Sequence, residues 1–141
     1  MDAITREMFK IYRLKKVRLD FMGYKIDKKD NLSYHHLIIP SRMGGKRTIE
    51  NGALLMQGQY FQDSNSHDYL HLIEHIDYEI FSLITSEMID QNVKGYLDIQ
   101  NLKKIRDLLL YFEHEHMNDR NKKGKLLIKQ QYLIRPRLDT F

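Results

Sequence analysis

Residues 34–51 read YHHLIIPSRMGGKRTIEN, and residues 67–71 read HDYLH. Residues 32–39 are rich in aromatic and β-branched side chains and are followed by Pro40, a pattern that predicts a β-strand. The proline, two glycines and three basic residues that follow are typical of a loop. The apolar residues 53–56 then predict a second short strand. The first stretch therefore has the order strand, loop, strand.

Helical patterns surround these strands. Apolar residues recur at helical spacing from residue 4 to about 19 and again from 102 to about 117, which predicts two amphipathic helices. Between them, residues 66–91 predict one long helix, with Ser64 or Ser66 available as its N-cap. We therefore expect an α+β fold in which a short two-stranded element is embedded in a mainly helical small domain.

Length and composition limit the class of protein. The chain has 141 residues, and we expect residues 1–141 to form a single domain. No apolar run approaches the roughly 20 residues that a membrane-spanning helix needs, and nothing at the N-terminus is typical of an export signal. We therefore expect a cytoplasmic protein with no membrane partner. There are seven histidines and no cysteine, so any metal ion must be bound by His, Asp or Glu.

Basic residues are concentrated towards the C-terminus. The net charge is +4, and the basic C-terminal segment 119–141 carries seven Lys and Arg residues against two Asp residues. A basic surface suits a polyanionic partner such as nucleic acid. The sequence leaves open whether residues 125–141 form a last helix or a loose basic tail. A second basic stripe, formed by Arg6, Lys10 and Arg13, is more typical of a solvated helix face.

The histidines are the candidate metal ligands. His35 and His36 occupy adjacent strand positions, whose side chains point to opposite faces, so the two cannot have the same role. His67 and His71 are four residues apart on the predicted helix and can reach one ion together. His71 and His75 have the same spacing and are the alternative pair. The pattern predicts a cluster of metal ligands with a separate base beside it.

The combination of these motifs resembles the HNH nuclease family. A His-His pair on a strand, a loop with Pro and Gly-Gly, Glu50-Asn51, and H-x-x-x-H on a helix follow in the family's order. The resemblance covers about residues 32–75 and implies the family's ββα-metal finger over that range. The fifteen-residue separation of His36 and Asn51 is one that the family often shows, whereas the gap from Asn51 to His67 is longer than usual.

The resemblance also implies roles for individual side chains. His36 would be the general base, and Asn51 would brace the loop. The implied metal ligands are His35, His67 and His71, with His75 as the alternative. Together these residues would hydrolyse phosphodiester bonds of nucleic acid, with DNA favoured over RNA and one divalent ion of zinc, nickel, manganese or magnesium as cofactor. Proteins of this kind are frequent in phages and mobile elements, and pairing as a homodimer would let one site per chain cut both strands.

The predicted loop carries basic residues for which two interpretations stand. Arg42, Lys46 and Arg47 are candidates for contacts with the scissile phosphate, since they lie between the strands that carry the candidate site. An arginine is preferred for this contact because its guanidinium group can bind two phosphate oxygens at once. The alternative is an ordinary solvated loop.

Two other functions fit part of the pattern. The first is a non-catalytic finger, stabilised by its metal, that binds nucleic acid or a protein. His36 argues against it, because a structural metal site needs ligands but has no use for a base at the next strand position. The second is a metallohydrolase of small phosphoesters, which the basic segments disfavour. His114 and His116 lack a comparable context, and we interpret them as hydrogen-bonded structural residues.

Overall fold

The computed structural model describes residues 3–12, 19–26, 31–37, 43–46, 48–57, 66–134 and 137–138. In chain order the elements are α1 (Ala3–Tyr12), β1 (Asn31–His36), β2 (Gly52–Gln57), α2 (Ser66–Ile76), α3 (Tyr78–Lys94), α4 (Ile99–His116) and α5 (Gln130–Ile134). The fold is α+β, as expected, and the described residues are mostly helical with a two-stranded sheet. Within these same ranges, no helix has the length and apolar character needed to cross a membrane.

Asp77 divides into two helices the region expected to form one. Its backbone is not helical (φ −145°, ψ 87°), and its amide donates to the Ile73 oxygen at 2.8 Å, at the end of α2. Its side chain accepts a hydrogen bond from the Ile80 amide at 3.1 Å and caps the start of α3. Such a cap stabilises a helix by about 1 kcal/mol. The prediction of a single helix over 66–91 was therefore wrong, and Ser66 is the first residue of α2.

The remaining elements lie close to their predicted positions. α4 begins three residues before the predicted start at 102, because the Asp98 side chain caps it by accepting a hydrogen bond from the Gln100 amide at 2.7 Å. Both the first helix and the first strand were predicted too long: Leu19 pairs with Lys25 in a bridge outside α1, and β1 ends at His36. Residues 13–18 and 38–40 lie outside the described residues. The C-terminal region, which the sequence left open, contains the short helix α5.

A side chain of the sheet holds the loop that precedes β2 through hydrogen bonds. β1 and β2 are antiparallel, with Tyr34 opposite Leu54 and His36 opposite Gly52. A Cβ atom on Gly52 would lie 2.2 Å from a carbon of the Tyr34 ring, so only glycine lets the ring cross the sheet here. The Tyr34 hydroxyl then accepts from the Thr48 amide at 2.9 Å and donates to the Thr48 oxygen at 2.6 Å. The end of the loop is thereby held beside His36.

A buried turn fixes the start of α2. One carboxylate oxygen of Asp20 accepts from the amides of Met22 and Tyr24 at 2.9 and 3.0 Å. The other accepts from the Ser66 hydroxyl. A buried carboxylate is tolerated when hydrogen bonds replace the lost water, and Asp20 and Ser66 are each 1% exposed. Because Ser66 directly precedes His67, this contact sets where the histidines of α2 begin.

The apolar side of α2 packs between β2 and α3, and α3 packs in turn on α4. Each fully buried side chain of Leu or Phe size contributes about 1.5–3 kcal/mol to folding. Fully buried residues of this core are Leu55, Tyr69, Leu70, Ile73, Ile84, Met88, Leu102, Ile105, Leu109 and Phe112. This packing holds α2 against the sheet, and His67 and His71 of its first two turns lie beside His35 of β1.

Candidate metal centre

Three histidines from β1 and α2 come together where the helix meets the sheet. His35 lies on β1, and His67 and His71 lie one turn apart at the start of α2. One nitrogen of each ring lies within 4.8 Å of the other two. The ring centroids are 5.3 Å apart for His35 and His67, 5.2 Å for His35 and His71, and 5.0 Å for His67 and His71. These are the three residues that the sequence analysis selected as ligands.

His75, the alternative ligand, is not part of this group. It lies one turn beyond His71 and is exposed. Among the described residues, the three histidines are the one group of His, Asp and Glu whose ligand atoms lie close enough to share an ion. The spacing from His71 to His75 equals that from His67 to His71, so the choice of ligand pair depends on which turns of α2 face His35. The first two turns of α2 face His35, and they carry His67 and His71.

Ser33 orients the His67 ring. Its hydroxyl oxygen lies 2.5 Å from Nδ1 of His67 and donates to the backbone oxygen of Leu55 at 3.1 Å. A serine hydroxyl has a single proton to donate. Because that proton goes to Leu55, the oxygen accepts from the Nδ1–H group of His67. Nε2 of His67 is then the ring nitrogen with a free lone pair.

The other two rings also leave Nε2 for coordination. Glu74 Oε1 lies 3.4 Å from Nδ1 of His71, and since a carboxylate can only accept, this contact favours the proton on Nδ1. The side chains are 52% and 37% exposed, so the contact orients His71 only weakly. In His35, Nε2 is buried and has no hydrogen-bond partner in the described part of the molecule.

The donor set fits a divalent transition-metal ion. Imidazole nitrogen suits zinc, nickel and copper, and three protein ligands leave coordination positions for water and a phosphate oxygen. Nitrogens bound to one tetrahedral zinc ion lie about 3.4 Å apart. The ligand nitrogens of the cluster lie within 4.8 Å of one another, so the rings would need to move by about an ångström to bind one ion. An ion would also satisfy Nε2 of His35, which costs about 1–3 kcal/mol while it is buried without a partner.

Burial keeps two of the rings neutral. Burial, followed by the proximity of His67 and His71, lowers the pKa of His35 to about 3. Burial and then His71 lower the pKa of His67 to about 4, against a smaller opposing effect of Asp68. Metal ions bind the neutral form of imidazole. At pH 7 both rings are therefore already in the form that a metal ion needs.

His36 lies on the opposite face of β1, next to Tyr34. The two rings meet edge to face, with centroids 4.9 Å apart and an interplanar angle of 82°. The His36 side chain is half-buried, and its Nε2 is buried without a hydrogen-bond partner among the residues described. His36 therefore has a ring nitrogen with no described partner, one strand position from a candidate ligand.

Asn51 fixes the strand end at His36. Its side-chain amide donates to the Lys46 oxygen at 3.2 Å, and its backbone oxygen accepts from the Leu37 amide at 2.8 Å. Its own amide donates to Oγ1 of Thr48 at 3.3 Å. Leu37 directly follows His36, so these bonds join the loop to the end of β1. Asn51 thus contacts backbone and loop, and lies outside the three-histidine cluster.

Of the three basic loop residues, Lys46 belongs to the described part of the chain. Its side chain is exposed, while its backbone oxygen accepts from the Asn51 side chain at 3.2 Å and from the Thr48 amide at 3.1 Å. The backbone of Lys46 is therefore fixed and its side chain extends into solvent. Arg42 and Arg47 lie outside the described residues.

Ser33 and Glu74 were missed by the sequence analysis, although their spacing carries a signal. Ser33 precedes His35 by two residues and so shares its face of β1. Glu74 follows His71 by three residues and so lies beside it on α2. Ligating histidines commonly bond a hydroxyl, carboxylate or carbonyl through their second nitrogen. A search for such partners at these spacings would have found both residues.

Comparison of the chain with models of protein families, with curated proteins and with solved structures found no match. The three clustered histidines, His36 and Asn51 therefore carry the functional inference by their own geometry and chemistry.

Proposed function

We propose that the protein is a metal-dependent nuclease of the HNH kind, which hydrolyses phosphodiester bonds of nucleic acid and prefers DNA. The observation that carries the proposal is the convergence of His35, His67 and His71, with His36 at the next strand position. In this proposal β1, β2 and α2 form the ββα-metal finger. Its ligands come from the first strand and the helix.

Each residue near the cluster has one task in this proposal. His36 removes a proton from the attacking water, and Asn51 keeps the strand end that carries His36 in place. The three other histidines hold one divalent ion, which when bound polarises a phosphoryl oxygen and stabilises the leaving 3′-oxygen. The exposed side chain of Lys46 contacts the phosphate.

The burial of the cluster favours a reaction site over a purely structural one. His35 is 6% exposed, whereas the side chain of His71 is 52% exposed. An ion held by both would have its outer side open to solvent and to a substrate. Structural zinc sites are closed by four protein ligands, and the described residues offer three.

The test measures cleavage and metal binding in three variants. Supercoiled plasmid, single-stranded DNA and RNA are incubated with Mg²⁺, Mn²⁺, Ni²⁺ or Zn²⁺, and calorimetry measures metal affinity. His36→Ala is expected to slow cleavage about 10²- to 10⁴-fold with metal affinity unchanged. His67→Ala is expected to lose both. His75→Ala is the matched control, since His75 is exposed on the same helix outside the cluster, and should keep both.

Two outcomes would contradict the proposal. If wild type and His36→Ala leave every substrate equally intact while metal still binds, the nuclease is excluded and a metal-stabilised binding finger takes its place. If His75→Ala loses metal binding and His67→Ala keeps it, the ligand assignment is wrong.

A further inference from the structure

A short hairpin connects α4 to α5. It comprises residues 119–127, in which Arg120 and Leu126 pair in antiparallel fashion. The Leu127 amide donates to the Asp119 oxygen at 2.9 Å and closes its base. The hairpin belongs to the basic C-terminal segment, but it takes no part in the proposed reaction site.

The tip of the hairpin is a cross-braced turn. The Gly124 amide donates to the Asn121 oxygen at 2.9 Å, and Gly124 has φ of 78°, which favours glycine. Oδ1 of Asn121 accepts from the amides of Lys123 and Lys125 at 2.9 and 3.0 Å. Arg120 Nη1 donates to the Gly124 oxygen at 2.7 Å. The backbone that carries the basic side chains therefore has a fixed shape.

The turn concentrates positive charge on side chains that have no acidic partner in the described part of the chain. Its exposed basic residues are Arg120, Lys122, Lys123 and Lys125. Within the described ranges, none of these lysines has an ion pair, and the adjacent Asp119 bonds instead to Nδ1 of His116 at 2.7 Å. Like charges held close together repel each other and contribute nothing to folding. An external polyanion would relieve that repulsion.

The base of the hairpin is joined to the helix that carries two of the candidate ligands. His116, the last residue of α4, bonds through Nε2 to Asp77 at 3.0 Å and through Nδ1 to Asp119. Asp77 directly follows α2, and at about 1.5 Å per residue about 9 Å of helix separates it from His71. The base of the hairpin and the helix of the histidine cluster are therefore joined through His116.

We propose that the hairpin of residues 119–127 is a second nucleic-acid surface, which contacts backbone phosphates away from the scissile bond. This inference rests on the proposed function, which identifies the polyanion as nucleic acid. Closely spaced cations on a fixed turn suit the regular phosphates of a strand. Asn121 uses its side-chain oxygen inside the turn, and contacts between lysines and phosphates carry no sequence information. The hairpin adds affinity, not sequence specificity.

The test compares two pairs of adjacent exposed lysines. Lys122→Gln/Lys123→Gln removes two charges from the hairpin, and Lys103→Gln/Lys104→Gln removes two from α4 as the charge-matched control. Fluorescence anisotropy measures binding of a labelled DNA duplex across a series of salt concentrations. The hairpin variant should bind about tenfold more weakly or worse at 0.1 M salt, with a salt slope smaller by about 1.8, because each phosphate contact contributes about 0.9. The control should change little.

The outcomes separate this inference from the proposed function. Equal affinity and equal salt slope for the two variants would overturn the hairpin surface even if plasmid cleavage is intact. If the wild type binds DNA through the hairpin but cleaves no nucleic acid, the proposed hairpin surface is supported and the proposed nuclease function is contradicted. Loss of binding to phosphatidylserine vesicles without loss of DNA binding would assign the hairpin to membranes and overturn the inference. Unchanged melting temperatures confirm that both variants fold.

Discussion

Replacing Ser33 with alanine tests how the cluster is prepared for a metal ion. The Ser33 hydroxyl accepts from Nδ1 of His67 at 2.5 Å while donating to the Leu55 oxygen at 3.1 Å. Without it, the proton of His67 can move to Nε2, and the ring can rotate away from His35. Both changes remove the lone pair that would face the ion, so we expect weaker metal binding.

The expected size of the effect follows from the burial of the contact. Loss of an outer hydrogen bond to a ligating histidine lowers metal affinity about 10- to 100-fold, or about 1.4–2.7 kcal/mol. The contact between Ser33 and His67 is only partly buried, so water can replace part of the lost hydrogen bond. We therefore expect the lower end of that range, about tenfold. The metal-free variant should also lose about 1 kcal/mol of unfolding free energy.

Calorimetry with Zn²⁺ and Ni²⁺ measures the affinity, and ¹⁵N spectra of the imidazole rings report which nitrogen of His67 carries the proton. Ser33→Thr keeps the hydroxyl and should restore binding. Ser82→Ala, at an exposed serine of α3, is the matched control. Wild-type affinity in Ser33→Ala, or a proton on Nε2 of His67 in the metal-free wild type, would refute the reasoning.

Acid should destabilise the metal-free protein, because burial lowers the pKa of His35 to about 3 and of His67 to about 4. The unfolding free energy is unaffected by these two groups above about pH 6.5 and falls below that pH, by up to about 2 kcal/mol per histidine at pH 5. In urea unfolding at pH 7.5 and pH 5, His67→Ala should therefore lose less stability at the lower pH than wild type does. His116 has the opposite sign: burial opposes its charge, but hydrogen bonds to two aspartates outweigh burial and raise its pKa. Charged His116 stabilises the folded protein fully below its ordinary pKa, and this stabilisation is lost as pH rises through the pKa of the folded state. The stability difference between wild type and His116→Gln should therefore shrink between pH 6 and pH 9. A constant difference would contradict the pairing of His116 with the aspartates. Gly52→Ala should lower the unfolding free energy by about 2 kcal/mol or more, since its Cβ would lie 2.2 Å from the Tyr34 ring, and a wild-type melting temperature would disprove that packing.

Local periodicity was enough to predict the parts of the molecule that carry the candidate site. A strand places His35 and His36 on opposite faces, and a helix places His67 and His71 on one face, whatever the rest of the chain does. The same local rules predict both strands. These rules cannot decide whether a given turn of α2 meets β1. For that reason the sequence leaves His75 as an alternative, whereas the packing of α2 brings His67 and His71 to His35.

The break at Asp77 could not be predicted from periodicity. Ile73 and Ile80 are seven residues apart, so the apolar stripe continues through Asp77 as it would in one helix. An aspartate can lie inside a helix or cap one, and the choice depends on its partners. Here Asp77 caps α3 and also bonds to His116, which lies 39 residues further along the chain. No window of local sequence contains that partner.

Three imidazole rings between β1 and α2 lower the stability of the folded protein when no ligand is bound there. Nε2 of His35 is buried without a described partner, and two of the rings are held neutral by burial. Aliphatic side chains of similar volume would fill the space without leaving a polar atom unsatisfied. A local arrangement that costs stability is expected where function requires it. The energetics of the cluster, and not only its spacing, therefore favour a bound ion as the reason for these residues.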